Sequence, residues 1–152
     1  MELTIRAMTA ADLPIWAQMR DALWPGETAE AHAKVIGEML GGDHAWGFIA
    51  EFADGTPVGF AELGIRDYAN GCDSRPVPFL EAIWVKPPWR WQGIGARLIL
   101  HIEAFVAARG FQEIGSDTLI DNAVSQAVHR SWGFLETERV VYFRKLLKPV
   151  AR

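Results

Sequence analysis

The alternation of hydrophobic and polar residues along the chain predicts a succession of short strands and amphipathic helices. Apolar side chains recur at every second residue in a half-buried strand, and at every third or fourth residue in a helix. The strands predicted in this way are 3–8, 46–52, 58–66, 79–85, 112–118 and 134–146. The predicted helices run from the Thr9 cap to about 23, and over 27–40, 92–109 and 122–132.

Residues with strong turn or capping preferences mark the ends of these elements. Thr9 followed by Asp12 has the spacing of a capping box, which predicts the start of the first helix. Trp24-Pro25-Gly26 interrupts that helix, Asp54-Gly55 predicts a hairpin, and Gly110 follows the helix at 92–109. These signals agree with the boundaries that the periodicity predicts.

The order of the elements predicts an α/β fold with a mixed sheet. The strand–helix–strand passage from 79 to 118 favours two parallel neighbours, whereas the hairpin at 46–66 favours antiparallel pairing. The chain shows no internal repeat and no long linker, so we expect residues 1–152 to form a single domain.

Composition and charge narrow the class of protein further. The chain has 152 residues, of which 50% are hydrophobic, and its formal net charge of −4 argues against a nucleic-acid partner, which requires a basic face. The single cysteine, Cys72, excludes a disulfide within the chain. The sequence shows neither a signal peptide nor an apolar run of the ~20 residues that cross a bilayer. We therefore expect a cytoplasmic protein that does not bind membranes.

The run Arg90-Trp91-Gln92-Gly93-Ile94-Gly95-Ala96 stands between a predicted strand and a predicted helix. The first turn of a helix presents unpaired N–H groups, which suit a phosphate or pyrophosphate, and Arg90 adds a positive charge. The run is not a P-loop, and Leu98 occupies the last position of a dinucleotide fingerprint. The glycines alone leave open a second interpretation, in which they serve only helix packing.

The surrounding sequence strengthens the first interpretation. Asn122 lies in the next strand–helix unit, and His129-Arg130-Ser131-Trp132-Gly133-Phe134 ends in Gly-Phe before the last predicted strand. With the R-x-x-G-x-G run, this order resembles the GCN5-related N-acetyltransferase (GNAT) family. The resemblance implies an acyl-CoA N-acyltransferase fold, with a mixed, mostly antiparallel central sheet and helices on both faces. It also implies acetyl-CoA as co-substrate, wrapped by the residues from Arg90 to Ala96, and no metal.

Further segments resemble one branch of that family, the aminoglycoside 6′-N-acetyltransferases. These segments are Leu23-Trp24-Pro25, Ile65-Arg66-Asp67-Tyr68, Asn70-Gly71, Phe79-Leu80-Glu81, Gly115-Ser116-Asp117, Asp121-Asn122 and Glu136-Thr137-Glu138-Arg139-Val140-Val141-Tyr142-Phe143. The resemblance implies direct transfer of an acetyl group to the 6′-amine of aminoglycoside antibiotics in a ternary complex, which confers resistance.

Glu81 is the most informative single residue. Strand alternation places it on the same face as the apolar residues Phe79 and Ile83, where an unpaired carboxylate is costly. One interpretation is a structural ion pair with Arg66 or Arg139. The other is a carboxylate that holds the attacking amine and takes its proton, directly or through water. The resemblance favours this catalytic role.

Asp117 is the second candidate carboxylate, near the end of a predicted strand. A strand-end or loop-capping aspartate is an equally good interpretation from the sequence alone. The resemblance implies that Asp117 contacts amino groups of the acceptor. With Glu81, it would form a pair suited to a polyamine sugar.

The backbone of the strand at 79–85 is expected to form hydrogen bonds with the co-substrate. The resemblance implies that this strand diverges from its neighbour, so that the pantetheine arm pairs with the edge at Ile83, Trp84 and Val85. A backbone N–H of that segment would stabilise the developing oxyanion. Asn122 is expected to bond the pantetheine, with a helix N-cap as the alternative.

The sequence leaves open which residue is the general acid. Many family members have a tyrosine where this chain has His129, four residues before Gly133. On its predicted helix, His129 shares a polar face with Asn122 and Ser125, so it should face the cofactor groove. It would protonate the leaving thiolate or only line the groove, and Tyr142 is a second candidate.

The acceptor pocket is expected near Trp24 and Tyr68, whose rings would stack on sugars and attract ammonium groups. Core packing is the alternative for both rings, and solvated surface charge is the alternative for Glu136, which would otherwise attract a polycation. Two other functions stay open: acetylation of another small amine or a protein N-terminus, and non-catalytic binding of acyl-CoA. The long last strand offers a pairing edge, so we expect a homodimer.

Overall fold

The computed structural model describes residues 1–150, which form a mixed α/β fold. The strands are β1 (Leu3–Ala7), β2 (Ala45–Phe52), β3 (Pro57–Arg66), β4 (Val77–Val85) and β5 (Gly115–Ser116). The helices are α1 (Leu13–Leu23), α2 (Ala29–Gly41), α3 (Ile94–Ala107) and α4 (Ala123–Ser131). Single 3₁₀ turns at Ala10–Asp12 and Pro87–Trp89 precede α1 and α3. Nothing in this part of the chain forms a helix long and apolar enough to cross a membrane.

The sheet has the order β1-β2-β3-β4-β5. Neighbouring strands from β1 to β4 are antiparallel, and β4 and β5 are parallel. The parallel pair is joined through α3, as the strand–helix–strand order predicted. The mixed, mostly antiparallel sheet is therefore confirmed.

Helices cover both faces of the sheet and bury two separate cores. On one face, Leu98 and Ile102 of α3 pack against Phe48 and Leu63. On the other, α1 and α2 bury a second cluster around Trp16, which is 1% exposed. A fully buried large side chain of this kind contributes roughly 1.5–3 kcal/mol.

The capping box predicted at Thr9 is present and is tied to the sheet. The Asp12 carboxylate accepts a hydrogen bond from the Thr9 backbone N–H at 2.8 Å. Arg6 of β1 donates two further bonds to the same carboxylate, at 2.8 and 2.9 Å. These contacts hold the start of α1 against β1.

Two predictions for the C-terminal third are wrong. The strand expected at 112–118 is limited to Gly115–Ser116, and the segment 134–150 contains no regular strand where 134–146 was predicted. Alternating apolar residues do not form a strand by themselves, because a strand also needs a neighbour that supplies backbone hydrogen bonds. We call residues 134–150 the C-terminal arm.

Candidate active site

A wide groove opens where β4 and β5 separate. Their pairing covers only Phe79 with Gly115 and Leu80 with Ser116. Beyond Leu80, that edge of β4 has no neighbouring strand within residues 1–150. The divergence predicted for this strand is thus present, and the groove has a volume of about 1700 Å³.

The groove collects most of the predicted site residues. Its walls include Trp24, Tyr68, Glu81, Ile83, Asp117, Asn122, His129, Glu136 and Tyr142. The segment 84–85 and the glycine turn at 90–96 are not among the wall residues. The structure therefore brings the residues predicted to bind the acceptor into one cavity with both candidate proton donors, His129 and Tyr142, and it places the predicted phosphate loop outside that cavity.

Glu81 projects from β4 at a bulge. Glu62 of β3 pairs with Ala82, and the next residue of β3 pairs with Leu80, so Glu81 has no opposite residue. Leu80, rather than Glu81, packs in the cluster that contains Ile83. The predicted alternation holds from Phe79 to Glu81, whose side chains both contact Arg66. It is wrong for Ile83, because a bulge inserts an extra residue and reverses the side chains beyond it.

Arg66 of β3 holds the Glu81 carboxylate in a bidentate ion pair. Its Nε and Nη2 atoms donate to the two carboxylate oxygens at 2.8 and 2.7 Å. The guanidinium carbon of Arg66 lies 3.5 Å from the ring centre of Phe79. The hydrogen bond with Glu81 raises the pKa of Arg66. The ion pair that the sequence left open is therefore present, and its carboxylate also lines the groove.

Asp117 follows β5 directly and is exposed in the same groove. Its charge adds to the effect of Glu81 in raising the pKa of Arg66. Two carboxylates and one guanidinium therefore share this end of the groove, with one negative charge in excess. This arrangement favours a cationic ligand.

Trp24 and Tyr68 present their rings to the groove from two loops. Trp24 is 37% exposed and Tyr68 is 60% exposed. Each ring has an arginine beside it, because Arg20 lies 4.8 Å from the Trp24 ring centre and Arg75 lies 5.5 Å from that of Tyr68. Their exposure is greater than core packing alone would produce, which leaves both rings accessible to a ligand.

His129 of α4 is held by hydrogen bonds at both ring nitrogens. Nδ1 lies 2.7 Å from the carbonyl oxygen of Ser125, which can only accept, so Nδ1 carries a proton. Nε2 lies 2.8 Å from Oγ of Ser116 and accepts a hydrogen bond from it when the imidazole is neutral. The rings of Trp132 and Phe134 pack beside it. His129 therefore faces the groove in a fixed orientation.

The glycine turn combines backbone conformation with close packing. Gly93 adopts φ +82° as the N-cap of α3, and Trp91 adopts φ +63° with its side chain 80% exposed. A Cβ atom at Gly95 would lie 2.7 Å from the Trp132 ring, so Gly95 serves packing. The first intrahelical bond runs from Arg97 N–H to the Gly93 carbonyl. The N–H groups of residues 94–96 therefore remain for an anion.

Two residues with cofactor roles predicted from the resemblance make local contacts. The Asn122 side chain accepts a hydrogen bond from Ser125 N–H at 3.0 Å and caps α4. The N-cap alternative for Asn122 is therefore present. The Arg90 Nε atom donates to the Val85 carbonyl at 2.8 Å, which ties the turn to the end of β4.

The C-terminal arm passes along the rim of the groove. Thr137 lies against Gly71, where a Cβ atom would stand 2.1 Å from the threonine Oγ1. Glu136 pairs with Arg139 at 2.5 Å and with Arg130 at 3.6 Å, and chiefly the former bond lowers the pKa of Glu136. The two arginines thus already balance the negative charge of Glu136, which was expected to attract a polycation.

A buried polar cluster behind Trp24 was not predicted. Glu62 of β3 and Arg20 of α1 form an ion pair, and Trp16 Nε1 donates to Glu62 at 2.9 Å. Arg20 Nε donates to Nδ1 of His32 at 3.2 Å. A single carboxylate within the apolar run of β3 and a single arginine on the buried side of α1 were the signals that could have revealed it.

Comparisons with known proteins identify the class. The sheet has two diverging parallel strands, β4 and β5, and the chain between them carries the glycine turn at the N-terminus of α3. The family model described as "Acetyltransferase (GNAT) family" matches residues 16–134. The chain belongs to the GNAT acetyltransferase family.

The similar relatives carry one name. "Aminoglycoside N(6′)-acetyltransferase type 1" of Salmonella typhimurium is 45% identical over 144 residues, covering 94% of this chain and 99% of the relative. The relative of that name from Stenotrophomonas maltophilia is 43% identical over 149 residues, covering 97% and 96%.

A solved structure shows the same fold. It is AAC(6′)-Iy "in complex with bisubstrate analog CoA-S- monomethyl-acetylneamine", with a TM-score of 0.91 and 44% identity, and it covers 97% of this chain and 100% of that one.

Proposed function

We propose that this chain is an aminoglycoside 6′-N-acetyltransferase that uses acetyl-CoA and confers resistance to these antibiotics. The observation that carries the proposal is the groove, in which Glu81 and Asp117 face the same space as Trp24 and Tyr68. Carboxylates bind ammonium groups, and aromatic faces stack on sugar rings. The names of relatives that match nearly the full chain support the same substrate class.

Glu81 receives the reacting amine. The amine arrives as an ammonium and must lose a proton before it can attack. Arg66 occupies one direction at each Glu81 oxygen, and a carboxylate has about four acceptor sites, so two remain. Glu81 therefore binds the ammonium and accepts its proton, directly or through one water, while Asp117 binds a second amino group.

The turn and the open strand edge fit acetyl-CoA. The N–H groups of Ile94, Gly95 and Ala96 and the guanidinium of Arg90 suit its pyrophosphate, with Trp91 and Gln92 beside them. The edge at Ile83, Trp84 and Val85 suits the amides of its pantetheine arm, and Asn122 lines the same groove as Ile83. When bound, acetyl-CoA supplies the thioester whose carbonyl carbon bonds to the amine while the carbon–sulfur bond breaks. A backbone N–H of that edge stabilises the oxyanion.

His129 is the proposed proton donor to the departing thiolate, and it acts as the imidazolium, because the neutral ring carries its only proton on Nδ1 against the Ser125 carbonyl. Ser116 and Ser125 fix its ring, whereas Tyr142 is 79% exposed on the arm. His129→Gln should therefore slow transfer more than Tyr142→Phe. Steady-state rates at saturating substrates compare the two variants, and a larger loss in Tyr142→Phe would reverse the assignment.

We also propose that the chain forms a single domain and acts as a homodimer through the C-terminal arm. Several apolar side chains of the arm are largely exposed: Leu135, Val141, Phe143, Leu146 and Leu147. Large apolar side chains concentrated and exposed in one segment favour an interaction site. Light scattering during gel filtration should give twice the chain mass of 16.9 kDa, and Phe143→Asp should shift the mass toward one chain.

We propose that the protein is located in the cytoplasm. Acetyl-CoA is a cytoplasmic metabolite, and Cys72 is the only cysteine in the sequence. Fractionation of cells that express the tagged protein tests this location.

Thiol release from acetyl-CoA in the presence of an amine panel tests the function. Turnover is expected with aminoglycosides that carry a 6′-amine, and none with matched 6′-hydroxyl analogues. Turnover only with a polyamine or a peptide N-terminus would support a different acceptor. Cofactor binding without turnover on any amine would support a non-catalytic module.

A further inference from the structure

The Trp24 indole stands at the end of α1, where the main chain alone does not fix its orientation. The backbone N–H of Trp24 donates to the Arg20 carbonyl at 2.8 Å, and Pro25-Gly26 follows immediately. The indole nevertheless forms part of the groove wall. The Arg20 guanidinium lies over the indole in cation–π geometry, 4.8 Å from the ring centre.

Arg20 is itself fixed by partners from two further elements. Its Nη1 atom donates to both carboxylate oxygens of Glu62 on β3. Its Nε atom donates to Nδ1 of His32 on α2 at 3.2 Å. Arg20, Glu62 and His32 are 7%, 4% and 2% exposed, so solvent does not compete for these bonds. The plane of the guanidinium is therefore set by the sheet and by α2.

Stability alone does not account for this cluster. A buried ion pair contributes little net stability, because desolvation offsets its attraction, and packed apolar residues of similar size do as well. A planar guanidinium differs from lysine and from apolar replacements, because its face can stack on a ring while its N–H groups remain hydrogen-bonded to other partners. The feature that uses this property is the contact with Trp24.

We propose that Arg20 is a positioning residue that holds the Trp24 indole against the acceptor end of the groove, and so sets the affinity for the acceptor sugar. Glu62 and His32 hold Arg20 in turn. The inference rests on the proposed function for its kinetic consequence, but the position of the ring is a property of the protein alone.

The first test observes the ring directly. The protein contains seven tryptophans, so ¹⁹F NMR of the 5-fluorotryptophan protein gives resolvable signals, and Trp24→Phe assigns one of them. Arg20→Lys should move or broaden the Trp24 signal. An unchanged Trp24 signal in folded Arg20→Lys would overturn the proposal, whatever substrate the enzyme uses.

The second test is a double-mutant cycle. Arg20→Lys should raise the KM for the aminoglycoside roughly threefold to tenfold, in line with the strength of a cation–π contact. It should leave the KM for acetyl-CoA unchanged, and it should have no further effect in a Trp24→Ala background. An equal effect in that background would contradict the proposal, because a general loss of structure does not depend on Trp24.

A matched pair at His32 covers the case in which Arg20→Lys fails to fold. His32→Asn keeps an acceptor near the position of Nδ1, whereas His32→Ala removes it. The alanine variant should raise the acceptor KM and move the Trp24 signal, and the asparagine variant should restore both. Equal behaviour of the two folded variants would refute the role of this bond. A wild-type protein without turnover on aminoglycosides would refute the proposed function instead, and the NMR test would still apply.

Discussion

Two arginine–glutamate pairs lie at the bulge between β3 and β4, and they differ mainly in burial. Glu62 of the first pair is next to the bulge, and Glu81 of the second is the bulged residue. In both pairs a guanidinium approaches an aromatic ring, Trp24 for Arg20 and Phe79 for Arg66. The side chains of Arg20 and Glu62 are 9% and 5% exposed, whereas those of Arg66 and Glu81 are 41% and 34% exposed.

The difference in burial separates two uses of the same chemistry. The enclosed pair has no solvent to replace a lost partner, so it bears on stability and on the position of Trp24. The open pair is screened by water, so it contributes little to stability and leaves carboxylate lone pairs for a ligand. Burial, rather than residue type, therefore indicates which pair is accessible to a ligand.

The largest expected effect is the loss of stability when one partner of the enclosed pair is neutralised. Glu62→Gln leaves Arg20 charged and poorly paired, so it should lower the free energy of unfolding by about 3–5 kcal/mol. Glu81→Gln is its matched control and should cost less than about 1 kcal/mol. Urea unfolding compares the two variants, and equal losses would remove the distinction.

Catalysis, unlike stability, should depend strongly on the open pair. Glu81→Gln should lower kcat/KM for the acceptor at least tenfold, roughly 1.4 kcal/mol, because the amine loses its proton acceptor. Glu51→Gln changes another arginine-paired glutamate, which is on β2 and does not line the groove, and it should leave the rate unchanged. Wild-type kinetics in Glu81→Gln would exclude this carboxylate from the mechanism.

Tyr142 of the arm acts electrostatically on Arg66 of the open pair, whereas the enclosed pair is buried under α1 and α2, so displacing the arm should affect the two pairs differently. Gly71→Ala forces an alanine to φ +81° and drives its Cβ into Thr137, whereas Gly110→Ala has the same strain at φ +86° with open space around it. Both should lose about 1–2 kcal/mol of stability. Only Gly71→Ala should also raise the acceptor KM, measured by thiol release. Equal values of KM would show that the arm does not shape the site.

The smallest effect concerns a third pair of intermediate burial, Arg6 with Asp12. The hydrogen bond with Arg6 chiefly lowers the pKa of Asp12 below 3.8, so the folded protein holds this carboxylate ionised. The stability gained is present above about pH 4 and is lost as the pH falls through the lowered pKa. Asp12→Asn should cost about 1 kcal/mol at neutral pH. Urea melts should show that this cost shrinks near pH 3, and a constant cost would refute the assignment.

Local patterns along the chain predicted the elements that are set by local physics. The cap at Thr9, the break after Leu23 and the parallel β4–β5 pair follow from side-chain preferences and connection rules. The bulge at Glu81 did not follow, because it depends on how two strands align. The same holds for the arm, whose apolar pattern resembles a strand although 134–150 forms none.

The candidate site also contains residues that could be predicted from the sequence and a pairing that could not. The resemblance indicated Glu81, Asp117, Trp24 and Tyr68, and the structure brings all four to one groove. The pairing of Arg20 with Glu62 joins residues 42 positions apart, and no local pattern predicts which buried arginine meets which buried carboxylate.

The position of the acetyl group in the product tests the central claim most directly. An aminoglycoside with several amines, incubated with this protein and acetyl-CoA, should yield a single product whose NMR spectrum places the acetyl group on the 6′-nitrogen. Acetylation at another nitrogen, or a mixture of sites, would contradict an acceptor pocket that presents one amine to Glu81.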